Sequence, residues 1–222
     1  MSETTNNLTV EKISFIKVKN YEIRKRIFDF LFSLFLLITI SPLLIAIYLI
    51  VLIITGKNPL YIGERGITFR HKTFKMIKFR TFKNDPLQSP LVKTKVLEKP
   101  EYRDLVFPFG KILRRTGLDE LPQLINILKG EMSFVGPRPL DFNDLRVMED
   151  DYPEFYERRI KITSKPGLTG YWQIFGNRGK GLSNLIELEE YYEKNKTFLF
   201  DLFIIFLSLP FVAFGKNSDA VV

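Results

Sequence analysis

The longest apolar stretch of the chain, residues 27–54, reads IFDFLFSLFLLITISPLLIAIYLIVLII and contains a single ionisable residue, Asp29. A run of roughly 18 or more such residues is typical of a helix that enters a membrane. The run is longer than the apolar region of a cleaved signal peptide, and no small-residue cleavage site follows it. The sequence therefore predicts a membrane-embedded segment that stays in the mature protein.

Two residues near the middle of this stretch predict a break in the helix. Pro42 lacks a backbone N–H, and its ring collides with the carbonyl of Ile38, so a helix should bend or stop there. The hydroxyl of the neighbouring Ser41 can donate to the carbonyl of Leu37 and enlarge the bend. We therefore expect two helical arms that meet near Ser41 and Pro42.

The charges on the two sides of the stretch predict how it sits in the membrane. Lys25 and Arg26 precede it, and Lys57 and Arg65 follow it, so both flanks carry the positive charge typical of the cytoplasmic side. A re-entrant hairpin over residues 24–56, which enters and leaves by one face, satisfies both flanks. A kinked helix that spans the bilayer is the alternative, because membrane helices tolerate proline.

Composition narrows the chemistry that the rest of the chain can perform. The 222 residues include no cysteine, one histidine, and 33 Lys and Arg against 25 Asp and Glu, a net charge of +8. Thiolate nucleophiles, sulfur-ligated metals and multi-histidine metal sites are thereby excluded. Carboxylates are the reactive groups that remain for an enzyme.

Outside the hairpin, the sequence predicts a mixed α+β, mainly helical fold. Residues 1–23 are a polar N-terminal segment, residues 57–216 a compact cytoplasmic domain, and residues 217–222 a tail. Residues 67–82 interleave apolar and basic side chains, which predicts a β-hairpin turning near His71 and Lys72, and residues 84–100 read as a long surface loop. Residues 198–214 are apolar but short for a span, so we expect a helix at the membrane interface. A buried core helix is the second alternative, and a crossing of the membrane the third.

Residues 109–140 contain the densest set of reactive side chains. Apolar residues at helical spacing, with Pro122 in the first turn and Gly130 at the end, predict a helix that begins near Asp119. Asp119 and Glu120 would then lie at its positive end, as a preferred capping residue and its neighbour or as groups of a reactive site. Phosphate-binding residues on either side favour the reactive site, namely Lys111, Arg114, Arg115 and Arg138.

These motifs resemble those of the monotopic phosphoglycosyl transferases, bacterial enzymes that begin the assembly of surface glycans. The resemblance runs from about residue 25 to residue 214. It includes KRIFD at 25–29, the Ser41-Pro42 break, KFRT at 78–81, LRRTGLDELPQL at 113–124, KGEMSFVGPRP at 129–139 and KPGLTG at 165–170. Larger members carry further membrane helices ahead of the first motif, so the chain resembles a minimal member.

The resemblance implies a reaction and a set of site residues. Asp119 would be the nucleophile and Glu120 its partner in a dyad, with Mg²⁺ as the cofactor and Asp119 as its ligand. Asp119 would attack a UDP-sugar, release UMP and pass the sugar phosphate to a polyprenyl phosphate in a ping-pong sequence. The substrate-binding candidates are Arg114, Arg138, Lys78, Arg80 and Arg178.

The same resemblance implies partners and a location. The partners are the UDP-sugar, the polyprenyl phosphate and membrane lipids, without nucleic acid, and a homodimer is allowed. The expected location is the cytoplasmic face of the bacterial inner membrane. The segment YWQIFGNR at 171–178 departs from the family pattern: Arg178 is displaced by one position, and Phe175 replaces a polar residue.

Two other functions fit the residues without the resemblance. A membrane-tethered basic protein could use the net charge of +8 to hold nucleic acid or anionic lipid. A phosphohydrolase could use Asp119 in the same way but pass the phosphoryl group to water. The sequence contains neither a P-loop nor a G-x-G-x-x-G motif, so nucleotide folds built on those loops have no support.

Overall fold

The computed structural model describes the backbone of residues 2–68, 73–83 and 105–213, and within those ranges the side chains from residue 20 onward except residues 178 and 211–213. The elements in chain order are α1 (Ser2–Thr39), α2 (Ser41–Thr55), β1 (Leu60–Gly66), β2 (Phe74–Phe79), α3 (Pro108–Thr116), a 3-10 helix (Leu118–Gln123), α4 (Leu124–Lys129), β3 (Ser133–Val135), β4 (Leu140–Asp141), α5 (Phe142–Asp151), α6 (Pro153–Ile160), β5 (Gly167–Thr169), α7 (Tyr171–Phe175), a second 3-10 helix (Arg178–Lys180), α8 (Gly181–Asn195) and α9 (Phe198–Ala213). The prediction of a mixed and mainly helical fold is confirmed.

The predicted break in the apolar stretch is present, and its hydrogen bonding explains it. Helices α1 and α2 meet at Ile40 and are bent by 64° relative to each other. The Ser41 hydroxyl donates to the carbonyl of Ile38 at 2.8 Å, rather than to that of Leu37 as the sequence suggested. Pro42 has no N–H for the Ile38 carbonyl, four residues earlier, so the serine hydroxyl satisfies the acceptor that proline leaves open.

Within the described residues, no single helix is long and apolar enough to cross a membrane. The bent pair Asn20–Thr39 and Ser41–Thr55 meets the length and hydropathy requirements only when both helices are taken together. Its outer surface carries exposed apolar side chains, such as Ile38 at 67% and Ile53 at 81% exposure. A re-entrant path for this pair stays a prediction.

Polar side chains in the second half of α1 attach this helix to the rest of the domain. Arg26 donates to the carbonyls of Ile127 and Leu128 at 2.7 and 2.8 Å, at the C-terminal end of α4. The carboxylate of Asp29 accepts from the backbone N–H of Phe134 at 3.1 Å. Arg26, which the sequence presented as a flanking charge at the membrane, therefore has partners inside the protein.

A second buried contact joins α1 to α9 through Asp201. Lys25 forms an ion pair with Asp201 at 2.6 Å, and the hydroxyls of Tyr21 and Tyr192 donate to the same carboxylate at 2.9 and 2.7 Å. Three donors around one buried carboxylate satisfy its hydrogen-bonding capacity. This contact explains the acid in the otherwise apolar helix α9.

The larger sheet has the order β2-β1-β4 and is antiparallel. Leu60 pairs with Phe79 and Arg65 with Phe74, so β1 and β2 form an antiparallel hairpin. Only its second strand lies within the predicted residues 67–82; the first strand ends at Gly66, before the predicted start, so that part of the prediction is wrong. The predicted turn at His71 and Lys72 and the predicted loop over residues 84–100 lie outside the described residues. A second, parallel pair joins β3 to β5.

The side chain of Asn126 connects α4 to the outer edge of β2. Its Oδ1 accepts from the N–H of Ile77 at 3.1 Å, and its Nδ2 donates to the carbonyl of Lys75 at 2.7 Å. Leu124 and Ile127 of the same helix are buried in one apolar cluster with Phe74 and Met76 of β2. Strand β2 and the helical segment that begins at Leu118 are thereby held in a fixed relation.

Candidate active site

The two acids lie where the sequence placed them, at the start of a helical segment. Gly117 adopts a left-handed conformation with φ of 72°, ends α3 and precedes the 3-10 helix that contains Asp119 and Glu120. Gly117, not Asp119, occupies the capping position, and no side chain caps this end. The segment ends before Gly130, with φ of 83°, as predicted. Helix capping therefore does not account for Asp119.

Strand β2 supplies the cation that contacts Glu120. The Lys78 Nζ lies 2.6 Å from Glu120 Oε1, and both side chains are mostly buried, with 25% and 16% exposure. Hydrogen bonds between ionised groups in such surroundings are short and strong. Lys78 therefore fixes the position of the Glu120 carboxylate and balances its charge.

Arg114, near the end of α3, is the second cation close to the two acids. Its Nε donates to Thr81 Oγ1 at 2.9 Å, and its guanidinium lies 4.2 Å from the ring centroid of Phe82. Burial lowers the pKa of Arg114, and the nearby carboxylates of Asp119 and Glu120 raise it in part. The guanidinium is thus desolvated next to both acids, which suits a group that binds phosphate oxygens.

Arg138 follows β3 and is held from three directions. Its backbone N–H donates to Glu189 Oε1 at 2.7 Å, and its carbonyl accepts from Arg159 Nη2. Its guanidinium lies 5.5 Å from the ring centroid of Trp172. The sequence predicted Arg138 as a site residue but did not point to the three residues around it.

Arg159 and Glu189 form an ion pair at 3.2 Å with side-chain exposures of 0% and 1%. Burial raises the pKa of the Glu189 carboxyl, and the facing guanidinium lowers it in part. Glu189 shares a helix face with buried Leu182, Leu185 and Ile186. An acid in the middle of an apolar helix face is the sequence signal that could have identified this pair.

Arg80 and Arg178 are the other predicted substrate-binding residues. The Arg80 Nε donates to the carbonyl of Asn58 at 2.8 Å, in the connection between α2 and β1. Arg178 opens the second 3-10 helix, and its side chain lies outside the described part of the chain. The structure thus brings together Asp119, Glu120, Lys78 and Arg114, while substrate contacts by Arg80, Arg138 and Arg178 stay predictions.

The donor set near the acids fits a loosely held cation better than a dedicated metal cage. Within the described ranges, no group of three or more His, Cys, Asp and Glu side chains could hold a metal ion. Mg²⁺ is commonly held by only one or two carboxylates, with waters and substrate phosphates as its other ligands. Asp119 and Glu120 are compatible with that arrangement.

Comparison with known proteins finds related sequences along almost the whole chain. A family model described as "Bacterial sugar transferase" matches residues 20–215. The chain is 37% identical over 206 residues to the exopolysaccharide production protein ExoY of Sinorhizobium fredii, covering 88% of each.

Two further relatives have names that state an activity. The undecaprenyl-phosphate galactose phosphotransferase of Salmonella typhimurium is 34% identical over 194 residues, which are 82% of this chain and 39% of that relative. The undecaprenyl-phosphate glucose phosphotransferase of Komagataeibacter xylinus is 32% identical over 204 residues, 88% of this chain and 37% of that relative.

The family model matches the chain from the middle of α1 to α9 and includes every residue of the candidate site. A basic binding protein without enzymatic activity does not agree with this family. The chain therefore belongs to the bacterial sugar transferase family and is an enzyme of that class.

Proposed function

We propose that this enzyme transfers a sugar 1-phosphate from a UDP-sugar to undecaprenyl phosphate, with Asp119 as the covalent nucleophile. The observation that carries the proposal is the pairing of charges at the start of the helical segment. Lys78 pairs with Glu120 at 2.6 Å, and the half-buried guanidinium of Arg114 lies within electrostatic range of both acids. Relatives that act on undecaprenyl phosphate support the acceptor.

Of the two acids, Asp119 is the better candidate for the attacking group. The Glu120 carboxylate is engaged by Lys78 at 2.6 Å, which lowers its nucleophilicity and fixes its direction. Asp119, with 8% exposure, lies in a dry environment where a carboxylate is less shielded by water. We assign Glu120 to orient and balance the site, and Asp119 to form the bond.

The proposed reaction consists of two displacements at one phosphorus atom. A carboxylate oxygen of Asp119 bonds to the β-phosphorus of the UDP-sugar, while the bond from that phosphorus to the bridging oxygen breaks and UMP leaves. A phosphate oxygen of undecaprenyl phosphate then bonds to the same phosphorus, and the aspartyl oxygen departs. Neither step needs a histidine or a cysteine as proton carrier, in agreement with the composition.

The two phosphates of the UDP-sugar would be repelled by the carboxylates of Asp119 and Glu120 without cations. Arg114 and Lys78 supply positive charge from the protein, and the planar guanidinium of Arg114 suits two phosphate oxygens at once. Asp119, with Glu120 beside it, would hold Mg²⁺, which when bound would neutralise charge on the diphosphate.

The location of the site follows from the attachment of the hairpin. We propose that α1 and α2 enter the cytoplasmic leaflet of the bacterial inner membrane as a re-entrant pair. Arg26 joins this pair to the end of α4, and Asp201 joins it to α9. The acids would then stay close to the headgroup region, where the phosphate of a polyprenyl acceptor lies.

A half-reaction experiment tests the proposal. Purified enzyme in detergent would be mixed with Mg²⁺ and each of a panel of UDP-sugars, without acceptor. The cognate donor should release about one UMP per active site and leave a hydroxylamine-sensitive sugar phosphate on Asp119. Undecaprenyl phosphate should then discharge the protein without further nucleotide.

Two results would contradict parts of this proposal. UMP release only when both substrates are present would indicate direct transfer and remove Asp119 as the nucleophile. Discharge to water as fast as to lipid would favour the phosphohydrolase. A donor that supports full turnover with acceptor provides the positive control for every negative half-reaction.

A further inference from the structure

We propose that the buried pair Arg159 and Glu189 is a positioning device that holds Arg138 in the geometry needed to bind the diphosphate of the donor. This inference rests on the proposed function. It concerns residues on α6 and α8 that belong to none of the motifs in the sequence. Its basis is the way the pair uses its hydrogen bonds.

The backbone N–H and the backbone carbonyl of Arg138 both form hydrogen bonds with the buried pair. Glu189 Oε1 accepts from the Arg138 N–H at 2.7 Å, and Arg159 Nη2 donates to the Arg138 carbonyl. Arg159 and Glu189 are linked to each other at 3.2 Å. Arg159 Nη2 also donates to Glu189 Oε1 at 3.3 Å, so the peptide groups on the two sides of the Arg138 Cα are held by two side chains that bond each other. This fixes the direction in which the Arg138 side chain leaves the backbone.

The guanidinium of Arg138 is guided by a third residue. Trp172 is buried, with its ring centroid 5.5 Å from the guanidinium carbon. A cation over an indole ring is attracted to its face, and the ring limits the rotamers of the arginine. Backbone and side chain of Arg138 are thus both constrained before any substrate arrives.

Stability alone is a weak reason for such a pair. Side chains of 0% and 1% exposure have lost their hydration, and a buried ion pair often contributes no more than apolar residues of the same volume would. The pair does, however, supply both partners for one loop residue. An arrangement of this kind is expected where the position of a ligand-binding group matters, because small displacements of such a group weaken binding strongly.

The chain contains a matched control in the same two helices. Arg158 precedes Arg159 on α6, and Glu190 follows Glu189 on α8. These two residues form two hydrogen bonds, with N–O distances of 2.9 and 2.7 Å. Their side chains are 29% and 39% exposed. The two pairs share residue types and helices, but only the buried pair bonds Arg138.

The test compares the double variants Arg159→Met/Glu189→Leu and Arg158→Met/Glu190→Leu in steady-state assays with the cognate UDP-sugar and undecaprenyl phosphate. The buried-pair variant should raise KM for the UDP-sugar 10- to 100-fold, the range that supporting residues of a site commonly show. The surface-pair variant should stay within about twofold of the wild type. Because KM does not depend on the folded fraction, a purely structural role would lower the apparent kcat and leave KM unchanged.

A third variant guards against loss of the fold. Arg159→Met/Glu189→Gln removes both charges but keeps an amide oxygen for the Arg138 N–H. It should recover part of the lost donor affinity relative to Arg159→Met/Glu189→Leu. A KM within twofold of the wild type in the Met/Leu variant, or no recovery in the Met/Gln variant, would overturn the inference.

Hydrogen exchange separates this inference from the proposed function. The amide of Arg138 should exchange at least tenfold faster in the Met/Leu variant than in the surface-pair variant, whatever the enzyme transfers. No UMP release from the wild type and the surface-pair variant would contradict the proposed function. Unchanged exchange at Arg138 would contradict the positioning role.

Discussion

The two ends of the helical segment Leu118–Lys129 differ in what surrounds them. At its start, Asp119 and Glu120 lie with Lys78 and Arg114, and the contacts are between side chains of opposite charge. At its end, Arg26 of the membrane-directed helix α1 binds two backbone carbonyls. In the proposed function the start of the segment binds the substrate, whereas its end attaches the segment to α1.

This difference shows how one short element can serve reaction and anchoring together. The segment consists of a 3-10 helix followed by α4, and its two ends make separate sets of contacts. The burial of Leu124 and Ile127 against β2 stabilises the segment. The charged side chains at its start can therefore serve the proposed substrate. The predictions at Asp119, Glu120 and Arg26 each change one end and leave the other intact, and the last two concern more distant parts of the molecule.

The largest effect is expected at the start of the segment. Asp119→Asn should lower UMP release at least about 10³-fold, because the amide cannot form the acyl phosphate. Glu120→Gln should lower it by a smaller factor, since Lys78 loses its counter-charge but the nucleophile remains. UMP release by a coupled assay measures both effects, with the exposed acid variant Asp150→Asn as the control.

An active Asp119→Asn enzyme would remove Asp119 as the nucleophile. Sedimentation with membranes should match the wild type in both site variants, and the thermal unfolding midpoint should match it in Asp119→Asn, which leaves the Lys78–Glu120 pair intact. A loss of either property would mean that the acids also support the fold, contrary to the separation of the two ends.

A smaller effect is expected at the opposite end. Arg26→Gln removes the charged donor from the Ile127 and Leu128 carbonyls, and hydrogen bonds of this kind contribute about 1.5–3 kcal/mol each. The free energy of unfolding in detergent should fall by about 2–3 kcal/mol, while KM for the donor stays the same. Arg24→Gln, at an exposed position of the same helix, should change neither.

A large rise in donor KM with unchanged stability in Arg26→Gln would reverse the roles assigned to the two ends. Chemical denaturation, followed by tryptophan fluorescence of Trp172, gives the stability. Steady-state kinetics on the same samples gives KM.

The third prediction concerns the bent pair α1 and α2, whose first helix carries Arg26. Pro42→Ala restores the N–H that the Ile38 carbonyl lacks, so α1 and α2 should become one helix in part of the molecules. A straight run over residues 27–54 would be roughly 42 Å long and could cross the bilayer with tilt. Cysteines at Asn7 and Asn58 report the path through labelling with an impermeant thiol reagent on intact cells.

In the parent sequence, both cysteines should resist the reagent, as a re-entrant hairpin requires. In the Pro42→Ala background, a fraction of position 7 should become labelled, and activity should fall by that fraction. Labelling of position 7 alone in the parent would identify a spanning helix instead.

The smallest effect is expected from pH. Glu193, on α8, accepts hydrogen bonds from Thr163, Ser164 and Lys196. Burial raises the pKa of Glu193, but the hydrogen bonds of Ser164, Thr163 and Lys196 outweigh it and bring the pKa below its ordinary value of 4.5. The stabilisation is therefore complete above about pH 4.5 and is lost as the pH falls through the lower pKa of the folded state.

Glu193→Gln should accordingly flatten the loss of stability between pH 5 and pH 3. Urea denaturation at several pH values measures the slope, and the exposed Glu154→Gln serves as the comparison. An identical slope in Glu193→Gln and the wild type would show that other carboxylates control acid unfolding.

Local sequence signals predicted the parts of the structure that depend on neighbouring residues. Pro42 breaks the apolar stretch wherever it lies in space, and Gly130 ends α4 because its left-handed backbone suits glycine. A helical segment near Asp119 follows from the same signals, but it starts as a 3-10 helix with Pro122 inside it, and the α-helix begins only at Leu124. These features needed no knowledge of the tertiary structure.

Features that depend on distant residues were missed or placed wrongly. The Arg26 side chain was interpreted as a membrane flank, because the sequence does not reveal which carbonyls α4 leaves open. The start of β1 was placed seven residues late, since Gly63 and Gly66 interrupt the alternation that marks a strand. Ser41 bonds Ile38 because the position of Pro42 decides which acceptor is left without a donor.

Asn126 has a consequence for the exposed edge of the larger sheet. Strand β2 is at the edge of its sheet, and an uncovered edge can pair with a strand of another molecule. By bonding the N–H of Ile77 and the carbonyl of Lys75, the Asn126 amide imitates one residue of a missing neighbouring strand. These two backbone groups of β2 are therefore already occupied and cannot pair with a strand added at this edge.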